Sequence, residues 1–227
     1  MTKADQKSLS AEFGGTAILL ATVIGSGIMG EQLAGGNVAI ALLGNTIPTG
    51  AILYVLITVL GPISGAHFDP VVSLAMCMTG RMPWSRFAPF VLCQVLGAIA
   101  GVWLAHAMFD LSILEVSTKQ RWGTGRWIAE ATATFGLLVT IFGGIRYNVA
   151  AIPTLVGLYI TAAYWFTAST SFANPAVTFA REFSNTFAGI APSSVLPFIA
   201  AQLIGMFLAL FAASRLFAEE KADLTQP

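Results

Sequence analysis

Long apolar blocks, separated by short polar or glycine-rich joints, run through this chain. Six of them, at about 11–34, 38–60, 87–109, 127–146, 150–170 and 195–217, reach the roughly 20 residues that an α-helix needs to cross a bilayer. Two further segments interrupt the pattern, one after the second block and one after the fifth. Asp69-Pro70-Val71-Val72-Ser73-Leu74-Ala75 and Asn174-Pro175-Ala176-Val177-Thr178-Phe179-Ala180 share one order of residue types: acid or amide, Pro, small, Val, hydroxyl, large apolar, Ala. Each opens on a good N-cap followed by Pro at the first helical position, which predicts short helices over about 70–79 and 175–184. A helix that starts inside apolar sequence implies irregular backbone at membrane depth. Lipid tolerates this only where protein or a water-filled path surrounds it. The pattern points to a pore or binding site near the midplane.

More than the short motif repeats. Ala11-Glu12-x-x-x-Thr16 recurs as Ala129-Glu130-x-x-x-Thr134, and Phe90-x-x-x-Gln94-x-x-Gly97 recurs as Phe198-x-x-x-Gln202-x-x-Gly205. The chain therefore reads as one membrane domain over 1–227, built from half-repeats 11–109 and 127–217. Three spans per half is an odd number, so the second half enters from the opposite face. Inverted repeats with discontinuous helices and a site between them follow channel and transporter logic. The N-terminus of each half-helix carries partial positive charge and unpaired amides. Two of them meeting at the midplane would disfavour cations and orient neutral hydroxylated solutes.

Composition narrows the class. The chain is 56% apolar and 10% charged, against about 25% charged in a soluble domain, so it is an integral membrane protein. Zero net charge and the lack of a basic run exclude nucleic acid as a partner. Cys77 and Cys93 indicate no disulfide framework, and two Cys with two His offer no metal-ligand spacing. No cofactor and no metal are expected. Nothing activates a nucleophile or cradles a phosphate, which argues against an enzyme. The first apolar run, after Lys3 and Lys7, reads as a retained signal-anchor helix. With both termini cytoplasmic, Lys3, Lys7, Arg81, Arg86, Arg146, Arg215 and Lys221 lie inside, and Lys119, Arg121, Arg126 and Arg181 outside. Seven against four favours this orientation in the cell's inner (plasma) membrane.

Ser64-Gly65-Ala66-His67-Phe68-Asp69-Pro70-Val71 resembles the first signature of the aquaporins, the major intrinsic protein family, and Phe172-Ala173-Asn174-Pro175-Ala176 the second. With the six spans and the repeat, the resemblance covers about 200 residues. It implies an all-α membrane fold of six transmembrane helices plus two re-entrant half-helices, a homotetramer embedded in membrane lipid, and one pore per subunit. By the same resemblance Asp69, Pro70, Val71, Asn174, Pro175 and Ala176 form the pore signatures. His67 lines the inner pore, and Glu12 and Glu130 are structural carboxylates that accept hydrogen bonds from the re-entrant loops. The segment from Gly25 to Asn37 is similar to a bacterial aquaglyceroporin branch encoded with arsenic-resistance genes. That similarity implies glycerol-like polyols, arsenite as a neutral trihydroxy acid, methylated arsenicals and water as solutes.

Two departures from the family pattern bear on selectivity. Where the first signature carries an amide, this chain has Asp69, and an ionised carboxylate can only accept hydrogen bonds. Where the second signature is followed by a filter arginine, it has Val177. Counting back from the signatures places Thr49, Ala162 and Ser171 with Val177 in the outer constriction, a wide, uncharged ring. Arg181, one turn nearer the outer mouth, is not expected to replace the missing arginine. The rival readings are a proton-coupled transporter using Asp69, Glu12 and Glu130, and an ion-leaky channel that lacks its filter charge.

Overall fold

The computed structural model describes residues 3–217, so Lys221 lies outside the described residues. Eight α-helices carry the fold: α1 (Lys3–Leu33), α2 (Val38–Ser64), α3 (Pro70–Met78), α4 (Phe87–Met108), α5 (Thr124–Tyr147), α6 (Ile152–Phe166), α7 (Pro175–Ala180) and α8 (Pro192–Leu216). Six are long and apolar enough to cross a membrane. The other two, α3 and α7, are the short helices at the repeated motif, and no strand occurs among the described residues. The second is shorter than its sequence suggests: α7 ends at Ala180 and passes into a 3-10 turn over Arg181–Phe183.

The caps explain why the half-helices start where they do. Asp69 and Asn174 are both extended at the N-cap, with φ −151° and −157°. Asp69 Oδ1 accepts from the Val71 amide at 2.7 Å, and Asn174 Oδ1 accepts from Ala176 and Val177 at 2.9 and 3.1 Å. Pro follows each, where its missing N–H costs nothing.

The halves pack alike. α1 lies along α4 in the first half and α5 along α8 in the second. Both crossings depend on a glycine at the position the repeat marks. A Cβ on Gly97 would strike the Phe13 carbonyl, and one on Gly205 would strike the Ala131 carbonyl. Phe13 and Ala131 each follow the repeated glutamate, so one close backbone contact is built twice. Between the halves, α2 meets α6 through Gly50 and Gly157, each facing the other's carbonyl.

One end of the bundle holds the start of α1 and the end of α8. There Asp5 pairs with Arg86 at 2.7 Å, and Ser8 bonds the Ile63 carbonyl at the end of α2. The opposite end is covered by the connection from α4 to α5 and the loop after α7. They are stitched by the Ser117 amide to the Glu182 carbonyl (2.7 Å) and the Ala191 amide to the Lys119 carbonyl (2.8 Å).

Candidate functional site

Two buried carboxylates hold the loops that lead into the half-helices. Glu12, fully buried in α1, accepts from Ser64 Oγ (2.6 Å), the His67 amide (3.0 Å), the Phe68 amide (2.7 Å) and Gln94 Nε2 (2.8 Å). Glu130, fully buried in α5, accepts from the Phe172 and Ala173 amides (both 2.9 Å) and Gln202 Nε2 (2.6 Å). Each glutamine also reaches a hydroxyl inside its half-helix, Gln94 to Ser73 and Gln202 to Thr178. The loops need this support because their backbones are strained. Ala66 and Phe68 in the first, and Thr170, Ser171 and Ala173 in the second, all have φ between 48° and 64°. Non-glycine residues occupy that left-handed region only when surrounding contacts impose it.

The two loops meet where the half-helices begin. Asn174 Nδ2 donates to the Phe68 carbonyl at 2.8 Å, tying the two signatures together. Beside this junction runs a cavity of about 680 Å³. Its wall includes Asp69, Asn174 and His67 near the junction, and Ile145, Val149 and Arg81 toward the end with the termini. Most of the lining is aliphatic, with a few polar side chains directed inward. His67 is half-buried, with Nδ1 3.0 Å from Ser73 Oγ and its ring edge-on to Phe90. Pro70 and Pro175 sit at the first positions of α3 and α7, while Val71 and Ala176 are buried beside them.

Toward the opposite end the wall consists of Thr49, Tyr164, Ser171, Val177 and Arg181. Three of the four residues expected in the constriction are therefore on the cavity. Ala162 is not, because it is exposed on the outer side of α6. Val156, Ile160 and Tyr164 follow one another at the four-residue spacing that keeps one helical face toward the cavity, so Tyr164 lines it where Ala162 does not. Its hydroxyl lies 3.4 Å from Thr49 Oγ1.

A charged residue also reaches this part of the cavity. Arg181 is buried, lines the same cavity and lays its guanidinium over the Phe172 ring, 3.4 Å from the centroid. It donates from Nε to the Ala188 carbonyl. Arg121 approaches the same ring at 4.9 Å and donates to the carbonyls of Gly189, Ser169 and Phe187. Burial, with Arg181 and Arg126 nearby, lowers the Arg121 pKa to about 9, and burial, with Arg121, lowers that of Lys119 to about 8. Lys119, Arg121, Arg126 and Arg181 thus cluster at the end of the molecule opposite the termini, where Glu31 offsets part of their charge at Lys119.

The family model for the major intrinsic proteins matches residues 1–164. The chain belongs to the major intrinsic protein family. Within it, the chain is 56% identical over 200 residues to the aquaglyceroporin AqpS of Rhizobium meliloti (strain 1021), an alignment covering 88% of this chain and 85% of that one. It is 37% identical over 100 residues to Aquaporin Z of Brucella melitensis biotype 1, covering 44% and 43% of the two chains. In three dimensions it resembles the aquaglyceroporin from Plasmodium falciparum, with a TM-score of 0.70 over 93% of this chain and 96% of that one, at 18% identity. Membership accounts for the doubled half-helix, and the structural likeness extends over nearly the whole chain. Tyr164 and Arg181 are the cavity residues that counting along the sequence misses, and the four-residue spacing in α6 is the available signal for the first.

Proposed function

We propose that this major intrinsic protein is a passive channel for small neutral solutes, including glycerol-like polyols, water and arsenite as a neutral trihydroxy acid. The observation that carries the reading is the cavity wall: mainly aliphatic, yet broken by donors and acceptors where the two half-helix N-termini meet. A polyol or trihydroxy acid can exchange water for those groups one at a time while its carbon or arsenic face slides along the apolar side. Ions lack that compensation, and the half-helix dipoles disfavour cations. The constriction is proposed at Thr49, Tyr164, Ser171 and Val177, with Arg181 beside it. Val177 in place of a long cation leaves room for methylated arsenicals. Glu12 and Glu130, committed to loop amides, serve the scaffold; a proton relay would need them free.

The proposal includes a homotetramer in the inner (plasma) membrane with both termini in the cytoplasm, one pore per subunit. Its test is stopped-flow swelling of proteoliposomes in glycerol and in arsenious acid. Uptake that rises linearly with solute concentration supports the channel. Uptake of water alone would contradict the proposed constriction.

A further inference from the structure

Glu12 and Gln94 do more than hold the first loop. Both oxygens of Glu12 accept, from two amides, the Ser64 hydroxyl and Gln94 Nε2. Facing that carboxylate, Gln94 must present its nitrogen, and the same nitrogen donates to Ser73 Oγ at 2.9 Å. Ser73 is therefore an acceptor toward Gln94. Its own proton remains, and the hydroxyl's other partner among the described residues is His67 Nδ1, 3.0 Å away. Ser73 is fully buried, and a buried hydroxyl proton without an acceptor is costly. The proton goes to Nδ1. In a neutral imidazole one nitrogen accepts and the other donates, so the ring's own proton sits on Nε2.

The second half of the repeat supplies the comparison. Thr178 stands where Ser73 stands and likewise accepts from Gln202 Nε2, but its proton goes to the Asn174 carbonyl at 2.8 Å. Phe172 occupies the position of His67 there, and a phenyl ring has no nitrogen to receive it. The hydroxyl turns to the ring in the half that carries an imidazole.

The remaining ring nitrogen is the open one. Nε2 has no hydrogen-bond partner among the described residues, yet it is not one of the buried polar atoms left without a partner. His67 is half-buried and borders the cavity, so Nε2 is exposed there. Gly65, with φ 93°, borders the same space, and a Cβ on it would stand 3.0 Å from Nε2. Ser73 and Gln94 lie off the cavity wall and act on it through His67.

We infer that Ser73, held by Gln94 and Glu12, is a positioning residue that fixes the proton of His67 on Nε2. His67 thereby meets a solute as a hydrogen-bond donor, and it receives the solute's oxygens rather than its hydroxyl protons. That second step rests on the reading of the cavity as a solute path; the tautomer does not.

The test is nitrogen NMR of the protein with isotope-labelled histidine, in nanodiscs at about pH 8, where imidazole is ordinarily neutral. The chain has two histidines, and His67→Gln identifies the signals of His67 by their loss. The expected spectrum shows a proton on Nε2 and a bare, hydrogen-bonded Nδ1, and added glycerol shifts the Nε2–H resonance. In Ser73→Ala the ratio of the Nε2–H to the Nδ1–H ring should fall about fivefold, the effect of one ordinary hydrogen bond. A proton on Nδ1 in the natural protein, or an unchanged ratio in Ser73→Ala, would overturn the assignment. An Nε2–H resonance indifferent to glycerol would overturn the donor role. The expected tautomer and glycerol response, in a protein whose proteoliposomes take up no glycerol, would sustain this inference and overturn the channel reading instead.

Discussion

Asp69 and Asn174 occupy matched caps and differ by one functional group. Both side chains accept from the first turn of their half-helix, but only Asn174 has an N–H to give, and it gives one to Phe68. Asp69→Asn keeps the capping acceptor, so we expect glycerol flux to stay within about twofold, since these two caps are nearly equivalent. Any pH dependence of flux that originates at the junction should diminish. A collapse of all flux in a folded Asp69→Asn variant would show the carboxylate to be required. Val177 is the other residue whose size is decisive. Val177→Arg should leave water flux nearly intact while lowering glycerol and arsenious acid flux about tenfold, which corresponds to about 1.4 kcal/mol of added barrier. Equal loss for water and the larger solutes, measured in the same vesicles, would remove Val177 from the constriction. Of the residues reached by counting along the sequence, Thr49, Ser171 and Val177 line the cavity and Ala162 does not, whereas Tyr164 does. The count assumes a fixed loop between α6 and the second signature, whereas the face of α6 is set by its four-residue spacing. Arg181 reaches the cavity for a related reason. The repeated motif places it on the next turn of a longer helix, but α7 stops at Ala180, and the 3-10 turn lays its side chain over Phe172.

At the scale of elements, the internal repeat makes most of the fold readable. Glu12 with Gln94, and Glu130 with Gln202, recur in sequence because each pair holds one strained loop against one half-helix. The recurring glycines have an equally local cause. Gly97 and Gly205 allow a helix backbone to approach the carbonyl after each glutamate, which seats the carboxylate deep enough to reach the loop. Gly205→Val should therefore separate α5 from α8 and cost about 1–3 kcal/mol, as overpacking typically does. Gly14→Ala, where nothing lies within 4 Å of an added Cβ, should be neutral or stabilising by up to about 1 kcal/mol. Thermal unfolding in detergent checks both, and equal melting temperatures for the two variants would refute the close α5–α8 contact. The positive φ values at Ala66, Phe68, Thr170, Ser171 and Ala173 are not legible in the sequence. No glycine marks those five positions, and at Phe68 and Ala173 the supporting contacts come from Glu12 and Glu130, far away in the chain.

For the whole molecule, six spans and two half-helices are readable because a bilayer sets a length that apolar blocks must match, and the caps of α3 and α7 carry their own local signal. The cluster of cations is less legible, since it arises only when the connection after α4 folds onto the loop after α7 and brings Lys119, Arg121 and Arg181 together. In the proposed reading, the cavity is a passive path in which no group changes protonation for a solute to pass. The rival mechanism, a transporter coupled through Asp69, Glu12 and Glu130, requires such a change. The measurement that separates them most directly is arsenious acid and glycerol uptake by proteoliposomes with and without an imposed proton gradient. A passive channel predicts equal, non-saturating initial rates in both conditions. Uptake that appears only with the gradient would contradict it and make the buried carboxylates coupling residues.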